Sequence, residues 1–275
     1  MKVLILGGGG YIGSVLTVRL LKLGLKVCVV DNFWFGKYLP RHKNLKIIKS
    51  DIRNLNFKIF KNVYAVVHLA NIANDPMVEL NESISWDVNV LSLKKIIENS
   101  IKFKIKKFLY ASSGSVYGLK KEKNVTEDLD LVPISTYNKT KMIAERVLLS
   151  YDNAIQNYII RPATVCGFSP RMRLDVAVNN LTFQAIKNKK IQIHGGKQVR
   201  PNIHIKDMCR VYEHFMFKNL KPGIYNAGFE NISIKKIAEK VQKKVNCRLE
   251  FKKIVDVRSY RQNSDKLLRT GKTNF

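Results

Sequence analysis

Val3-Leu4-Ile5-Leu6-Gly7-Gly8-Gly9-Gly10-Tyr11-Ile12-Gly13 is the stretch that decides the fold. Its first four residues form an apolar run without polar interruption, as a strand buried on both faces requires. Gly7, Gly10 and Gly13 follow at the G-x-x-G-x-x-G spacing. Tyr11 to Gly24 is amphipathic, and a second apolar run, Val27 to Val30, ends at Asp31. Strand, glycine turn, helix, strand and terminal acid is the layout of a dinucleotide-binding βαβ unit. Glycines let the backbone turn sharply and approach a pyrophosphate, which rests on the amides at the helix N-terminus. A carboxylate at the second strand tip accepts hydrogen bonds from a ribose diol and repels a 2′-phosphate. Asp31, with no basic residue directly after it, therefore points to NAD rather than NADP.

With 275 residues the chain can bury a large core, as one long domain or one domain with a smaller appendage. No apolar run approaches the roughly 18 residues that span a bilayer. The opening residues do not read as a secretory leader, because their apolar stretch is short and runs into the glycine turn. Cys28, Cys166, Cys209 and Cys247 are scattered, with no C-x-x-C pair, which argues against metal and disulfide frameworks and fits a reducing cytoplasm. His68, His194 and His204 each lie beside a β-like run and read as structural, so no metal is expected.

The formal charge of +28 raises the question of nucleic acid. The excess is mostly lysine, spread over nearly every helical stretch, without an aromatic-interleaved stripe. That pattern speaks for compositional drift and against a specific nucleic-acid site; weak nonspecific binding at low salt is the expected consequence.

Strand-like runs recur at Lys46–Lys49, Ala65–Leu69, Phe108–Ala111 and Tyr158–Ile160, alternating with helical spacing over Ser83–Ile101 and Tyr137–Tyr151. This alternation predicts a doubly wound parallel sheet. After Arg161-Pro162 the elements shorten: helices near Val176–Lys187, Asp207–Phe217 and Ser233–Val245, strands near Ile191–His194 and Ile203–Ile205. The expected organisation is a cofactor domain over 1–160 and a mostly substrate-binding lobe over 161–275, with some elements of the latter free to return to the main sheet.

Tyr137 and Lys141 stand four apart, on one face of a helix. A free tyrosine titrates near 10 and is a poor base at neutral pH. An ammonium one turn away, with a positively charged nicotinamide, favours the phenolate. Ser112-Ser113 lies upstream at the C-terminal end of a strand, where open α/β sheets hold their ligands. A hydroxyl there can bond the same substrate oxygen.

Taken together, the glycine triplet, Asp31, Ser113, Tyr137 and Lys141 resemble the extended short-chain dehydrogenase/reductase superfamily, and within it the NAD-dependent nucleotide-sugar epimerases and dehydratases. The resemblance implies a Rossmann doubly wound sheet with a smaller C-terminal α/β substrate lobe. It implies that Gly7, Gly10, Tyr11, Ile12 and Gly13 form the cofactor loop, that Asp31 and Asn32 hold the ribose, and that Asp51 and Ile52 hold the adenine. Leu69, Ala70 and Asn71 then belong to the loop beside the phosphates and nicotinamide. Asn89 comes from the following helix, Ser112 from the active-site strand and Pro162 from the segment packing on the nicotinamide. Ser113, Tyr137 and Lys141 take the catalytic positions. Ser113, Ser115, Thr164, Arg173, Asn180, Arg200 and Arg258 are implied to hold a nucleotide-diphosphate sugar, the arginine fork suiting two phosphate oxygens at once.

Family 4,6-dehydratases follow the catalytic Ser or Thr with an Asp-Glu pair that eliminates water. Here those positions are Gly114 and Ser115, so the elimination acid and base are absent. The implied chemistry starts with the Tyr137 phenolate taking a sugar hydroxyl proton, at C4, while hydride leaves the same carbon. Returning the hydride to the opposite face gives an epimerase; releasing the keto sugar gives a dehydrogenase. A non-catalytic NAD-binding regulator would be expected to lose the Tyr–Lys pair, which this chain keeps. The same resemblance implies that Ser83–Ile101 and Tyr137–Tyr151 pair across a two-fold axis, making a homodimer.

Overall fold

A computed structural model describes residues 1–252 and 259–271. The chain begins with β1 (Lys2–Leu6), α1 (Tyr11–Lys22), β2 (Lys26–Asp31), β3 (Leu45–Lys49) and β4 (Ala65–His68). Next come α2 (Asp75–Leu80) and α3 (Glu82–Trp86); a π turn over Asp87–Leu91 carries α3 into α4 (Ser92–Lys102). Then follow β5 (Lys107–Ala111), α5 (Thr136–Leu149), β6 (Gln156–Pro162) and β7 (Thr164–Cys166). The remainder is α6 (Ala177–Asn188), β8 (Lys190–His194), β9 (Val199–His204), α7 (Ile205–Phe217), β10 (Gly223–Ala227), β11 (Glu230–Ser233), α8 (Ile234–Gln242), β12 (Arg248–Lys252) and α9 (Asp265–Leu268).

Seven strands form one sheet in the order β10-β6-β5-β4-β1-β2-β3, every pairing parallel. The uninterrupted apolar runs follow from burial on both faces. Val3, Ile5, Val27 and Val29 point to the side of α1 and α7. Their alternates Leu4, Leu6, Cys28 and Val30 point to the side of α4 and α5. Each of these eight is at most 2% exposed, so shifting either strand by one residue would exchange two filled cores.

The later chain returns to this sheet. β10 lies parallel to β6 at the sheet edge, and α7 packs on α1. The sequence shows no run at β10, because Gly223-Ile224-Tyr225-Asn226-Ala227 mixes glycine and asparagine with its apolar residues. The rest forms a small lobe: sheet β11-β9-β7, the β12-β8 pair, and α6 and α8 over a core of Leu181, Ile191, Ile193, Ile232 and Ile237.

The four cysteines are free. Among the described residues no group of His, Cys, Asp or Glu is arranged to hold a metal, and no helix is long and apolar enough to cross a membrane.

Candidate active site

In an open parallel sheet the ligand crevice forms outside the carboxyl ends of the strands, where the order reverses. Here that point is β1, flanked by β2 on one side and β4 on the other. Gly7 leaves β1 at φ +84°, a left-handed conformation that glycine adopts freely. A Cβ at Gly7 would meet the Ala70 amide nitrogen at 2.5 Å, and one at Gly13 would meet the Gly7 carbonyl oxygen at 2.3 Å. The helix start and the β4 loop thus close on bare backbone. No side chain caps α1 at Gly10, so its first-turn amides, including those of Tyr11, Ile12 and Gly13, face outward without an intrahelical acceptor. That is an anion seat.

Asp31 ends β2 beside this seat. Its carboxylate accepts from the amides of Gly9 and Phe33, both at 2.8 Å, which fixes it against the glycine loop next to Asn32. Leu69 and Ala70 donate their amides to the Leu6 carbonyl. Beyond them, both polar atoms of the Asn71 amide are sealed from solvent without a partner. Such an orphaned amide, facing bare glycine backbone, outward helix amides and a placed carboxylate, suits a dinucleotide. NAD would be held by these groups.

Two residues assigned to the cofactor are also bonded within the protein. Asn89 is fully buried, accepting from the Ile72 amide and donating to the Ile72 carbonyl and Thr140 hydroxyl, which braces the loop after β4. The Ser112 hydroxyl donates to the Glu145 carboxylate, behind the site. Asp51 caps a short turn and pairs with Arg53, leaving buried Ile52 beneath it. Pro162 ends β6, its carbonyl facing Gly114.

Ser113 stands two residues past the end of β5 and caps the 3-10 turn Gly114–Tyr117. Its hydroxyl is 2.7 Å from that of Ser115, which donates to Asn138 Oδ1 at 2.6 Å. Tyr137 sits in the first turn of α5, with Ser135 as helix cap. Ser135 in turn donates to Asp75 at 2.6 Å. Burial pushes the Tyr137 phenol up; Arg173 and the Ser113 hydroxyl pull it down, and Asp75 pushes it up.

Lys141 lies behind Tyr137 on the sheet side of α5. Its ammonium donates to the Ala111 carbonyl at 2.6 Å and lies 5.0 Å from the Tyr110 ring centre, against 5.9 Å for that of Tyr137. Burial pulls its titration down to about 7, against the pull of Glu145. Against the burial that raises the Tyr137 phenol, Arg173, from the loop before α6, acts in the opposite direction together with the Ser113 hydroxyl. Asp175 grips Arg173 and accepts from Asn74. Asn179 donates to the Arg173 carbonyl and to the Tyr11 phenol, tying this loop to α1.

The other expected substrate residues stand on the lobe. Thr164 is in β7, Asn180 accepts from Gln184 within α6, and Arg200 lies in β9 near Tyr260. Arg258 lies outside the described residues. Asn138 and Glu145 escaped sequence reasoning, although Glu145 stands one further turn along the Tyr137–Lys141 stripe.

Residues 3–228 match the model of the NAD-dependent epimerase/dehydratase family. The chain belongs to this family. It is accordingly an NAD-dependent enzyme of the extended short-chain dehydrogenase/reductase type. It is 29% identical over 273 residues to a UDP-glucose 4-epimerase of Lactobacillus helveticus, covering 88% of this chain and 82% of that one. It is 30% identical over 234 residues to a putative UDP-glucose 4-epimerase of Methanocaldococcus jannaschii, covering 82% and 76%. Its fold is similar to that of UDP-glucuronic acid 4-epimerase from Bacillus cereus in complex with UDP-glucuronic acid and NAD: TM-score 0.86, 28% identity, 98% of this chain and 92% of that one.

Proposed function

We propose that the protein is a nucleotide-sugar 4-epimerase, with a uridine diphosphate sugar as the substrate class to test first. The observation that carries this over a dehydratase is Gly114. A Cβ there would lie 2.9 Å from Gln262 Oε1 and 3.2 Å from the Pro162 carbonyl oxygen. The position carries no carboxyl, and a side chain there would have to displace the Gln262 amide. The names of the relatives, UDP-glucose and UDP-glucuronic acid 4-epimerases, support the same reading.

Ser113 orients the sugar C4 hydroxyl and Tyr137 takes its proton. When bound, NAD supplies a reversible hydride acceptor at the same carbon. Lys141 donates hydrogen bonds on the cofactor side, and Asp31 holds the adenosine ribose. Thr164, Arg173, Asn180 and Arg200 bind substrate on the C-terminal lobe, which takes up most of 161–275 apart from α7 and β10, above the cofactor domain over 1–160. The enzyme works as a cytoplasmic homodimer, a reading supported by free cysteines and by Leu91, 62% exposed at the start of α4.

The test is incubation with NAD and a panel of UDP-hexoses, followed by proton NMR. A C4-epimer without net NADH supports the reading. Accumulating NADH and keto sugar would make the enzyme a dehydrogenase, and NAD binding without turnover a regulator.

A further inference from the structure

Behind the catalytic side chains lies a charged network closed off from water. Glu145 is 1% exposed and Arg161 is 2% exposed. The Arg161 Nε and Nη2 donate to the two Glu145 oxygens at 3.0 and 2.7 Å. The Ser112 hydroxyl donates to the same carboxylate. On its other side Arg161 donates to the Tyr117 phenol at 2.7 Å, which donates to Asn226 at 2.8 Å. Gln262 donates to the Arg161 carbonyl at 2.7 Å. β5, α5, β6, β10 and the 3-10 turn after Ser113 therefore meet at one ion pair.

We propose that Glu145 is a positioning residue that sets where Ser113 and Tyr137 meet. It stands two helical turns from Tyr137 on α5 and holds Ser112, the residue directly before Ser113. The catalytic hydroxyls belong to different elements, and a sliding of α5 along β5 would part them. The Glu145 carboxylate, which accepts from Ser112, ties α5 to the end of β5 beside the Lys141–Ala111 and Ser115–Asn138 bonds, and of these three it alone is also clamped to β6, by Arg161. A buried pair contributes little net stability compared with well-packed apolar residues, so its use here is registration. Its charge has a second effect, on Lys141. That ammonium faces Tyr137 and Glu145 on its own helix, Tyr110 on β5 and His68 on β4, and of these Glu145 supplies the anion that favours the protonated form. Arg161 on β6 and Ser112, just past β5, hold the carboxylate still.

This inference rests on the epimerase reading, and wild-type turnover of a UDP-hexose tests that reading separately. Ser112→Ala leaves the ion pair intact and removes the carboxylate's own bond to the segment that carries Ser113. Its kcat should fall about tenfold, with the melting temperature and NAD affinity close to wild type. Glu145→Gln alone strands a buried guanidinium and destabilises. The paired Glu145→Leu/Arg161→Met variant removes both charges and should regain the melting temperature while kcat stays more than tenfold down. Lys141 then loses its proton more readily, so the alkaline limb of the kcat profile moves to lower pH. A paired variant, or Ser112→Ala, with wild-type kcat and pH profile would overturn the positioning role and leave the pair as core packing.

Discussion

Lys141 follows Tyr137 by one helical turn, yet its ammonium bonds the Ala111 carbonyl at 2.6 Å and not the phenol. The lysine is held on β5, whereas burial raises the Tyr137 phenol and Arg173 and the Ser113 hydroxyl lower it. The two side chains thus answer to different surroundings: Lys141 to the sheet, Tyr137 to groups from both the cofactor domain and the lobe.

Tyr137→Phe removes the phenol oxygen alone. Turnover should fall at least 10²-fold, within the span of general-base contributions, while NAD affinity stays near wild type. Lys141→Ala should lower both. Stopped-flow kinetics and calorimetry separate them; a Phe variant above about a hundredth of wild-type rate would remove Tyr137 as the base.

Arg173→Met takes away the cation that counters burial at Tyr137. The phenol then needs a higher pH to ionise, so the acid limb of the kcat profile should move alkaline. Arg173→Lys should restore part of the shift. Identical acid limbs in all three proteins would confine Arg173 to substrate binding.

Asp31→Ala strips the acceptor from the Gly9 and Phe33 amides and from the ribose. Hydrogen bonds to a charged group are each worth about 1.5–3 kcal/mol. NAD affinity should fall roughly tenfold or more, and NADP much less, so the preference narrows. Calorimetric titration of both cofactors decides it; tighter NADP binding by the wild type would reverse the assignment.

His68 is fully buried, stacked on Tyr110, with neither ring nitrogen partnered. Burial lowers its titration from 6.5 to about 3. Below pH 6.5 the unfolded chain takes a proton that the folded chain refuses, so stability is lost progressively toward pH 3. The full loss is on the order of 5 kcal/mol. His68→Phe should therefore gain on the wild type as pH falls through that window in urea titrations. A stability difference independent of pH would show that His68 does not titrate on unfolding there.

Gly114→Ala places a methyl against Gln262 and the Pro162 carbonyl. Overpacking of this kind costs about 1–3 kcal/mol. The melting temperature should drop by several degrees, with kcat reduced because the turn carries Ser113. A variant as stable as wild type would mean that this position can accept a side chain.

What the sequence alone determined is the part built from local pattern. The apolar run Val3–Leu6, the glycine spacing and Asp31 already specify a strand, a turn that only bare backbone can make and an acid at the next strand tip. Periodicity marks α5, and with it the shared face of Tyr137 and Lys141. The tertiary structure decided what depends on distant partners. Residues 223–227 have no strand pattern of their own and become β10 because β6 offers an open parallel edge. Asn89 and Ser112 look like ligand contacts in a motif, and folding also gives them hydrogen bonds to Ile72, Thr140 and Glu145. Arg173 acts on Tyr137 through its charge, across 36 residues of chain, because the loop before α6 is tied back to α1 by Asn179. Periodicity reports which face a residue occupies; charges and hydrogen bonds are settled by whichever groups the chain brings within 3 Å, across separations no local pattern encodes.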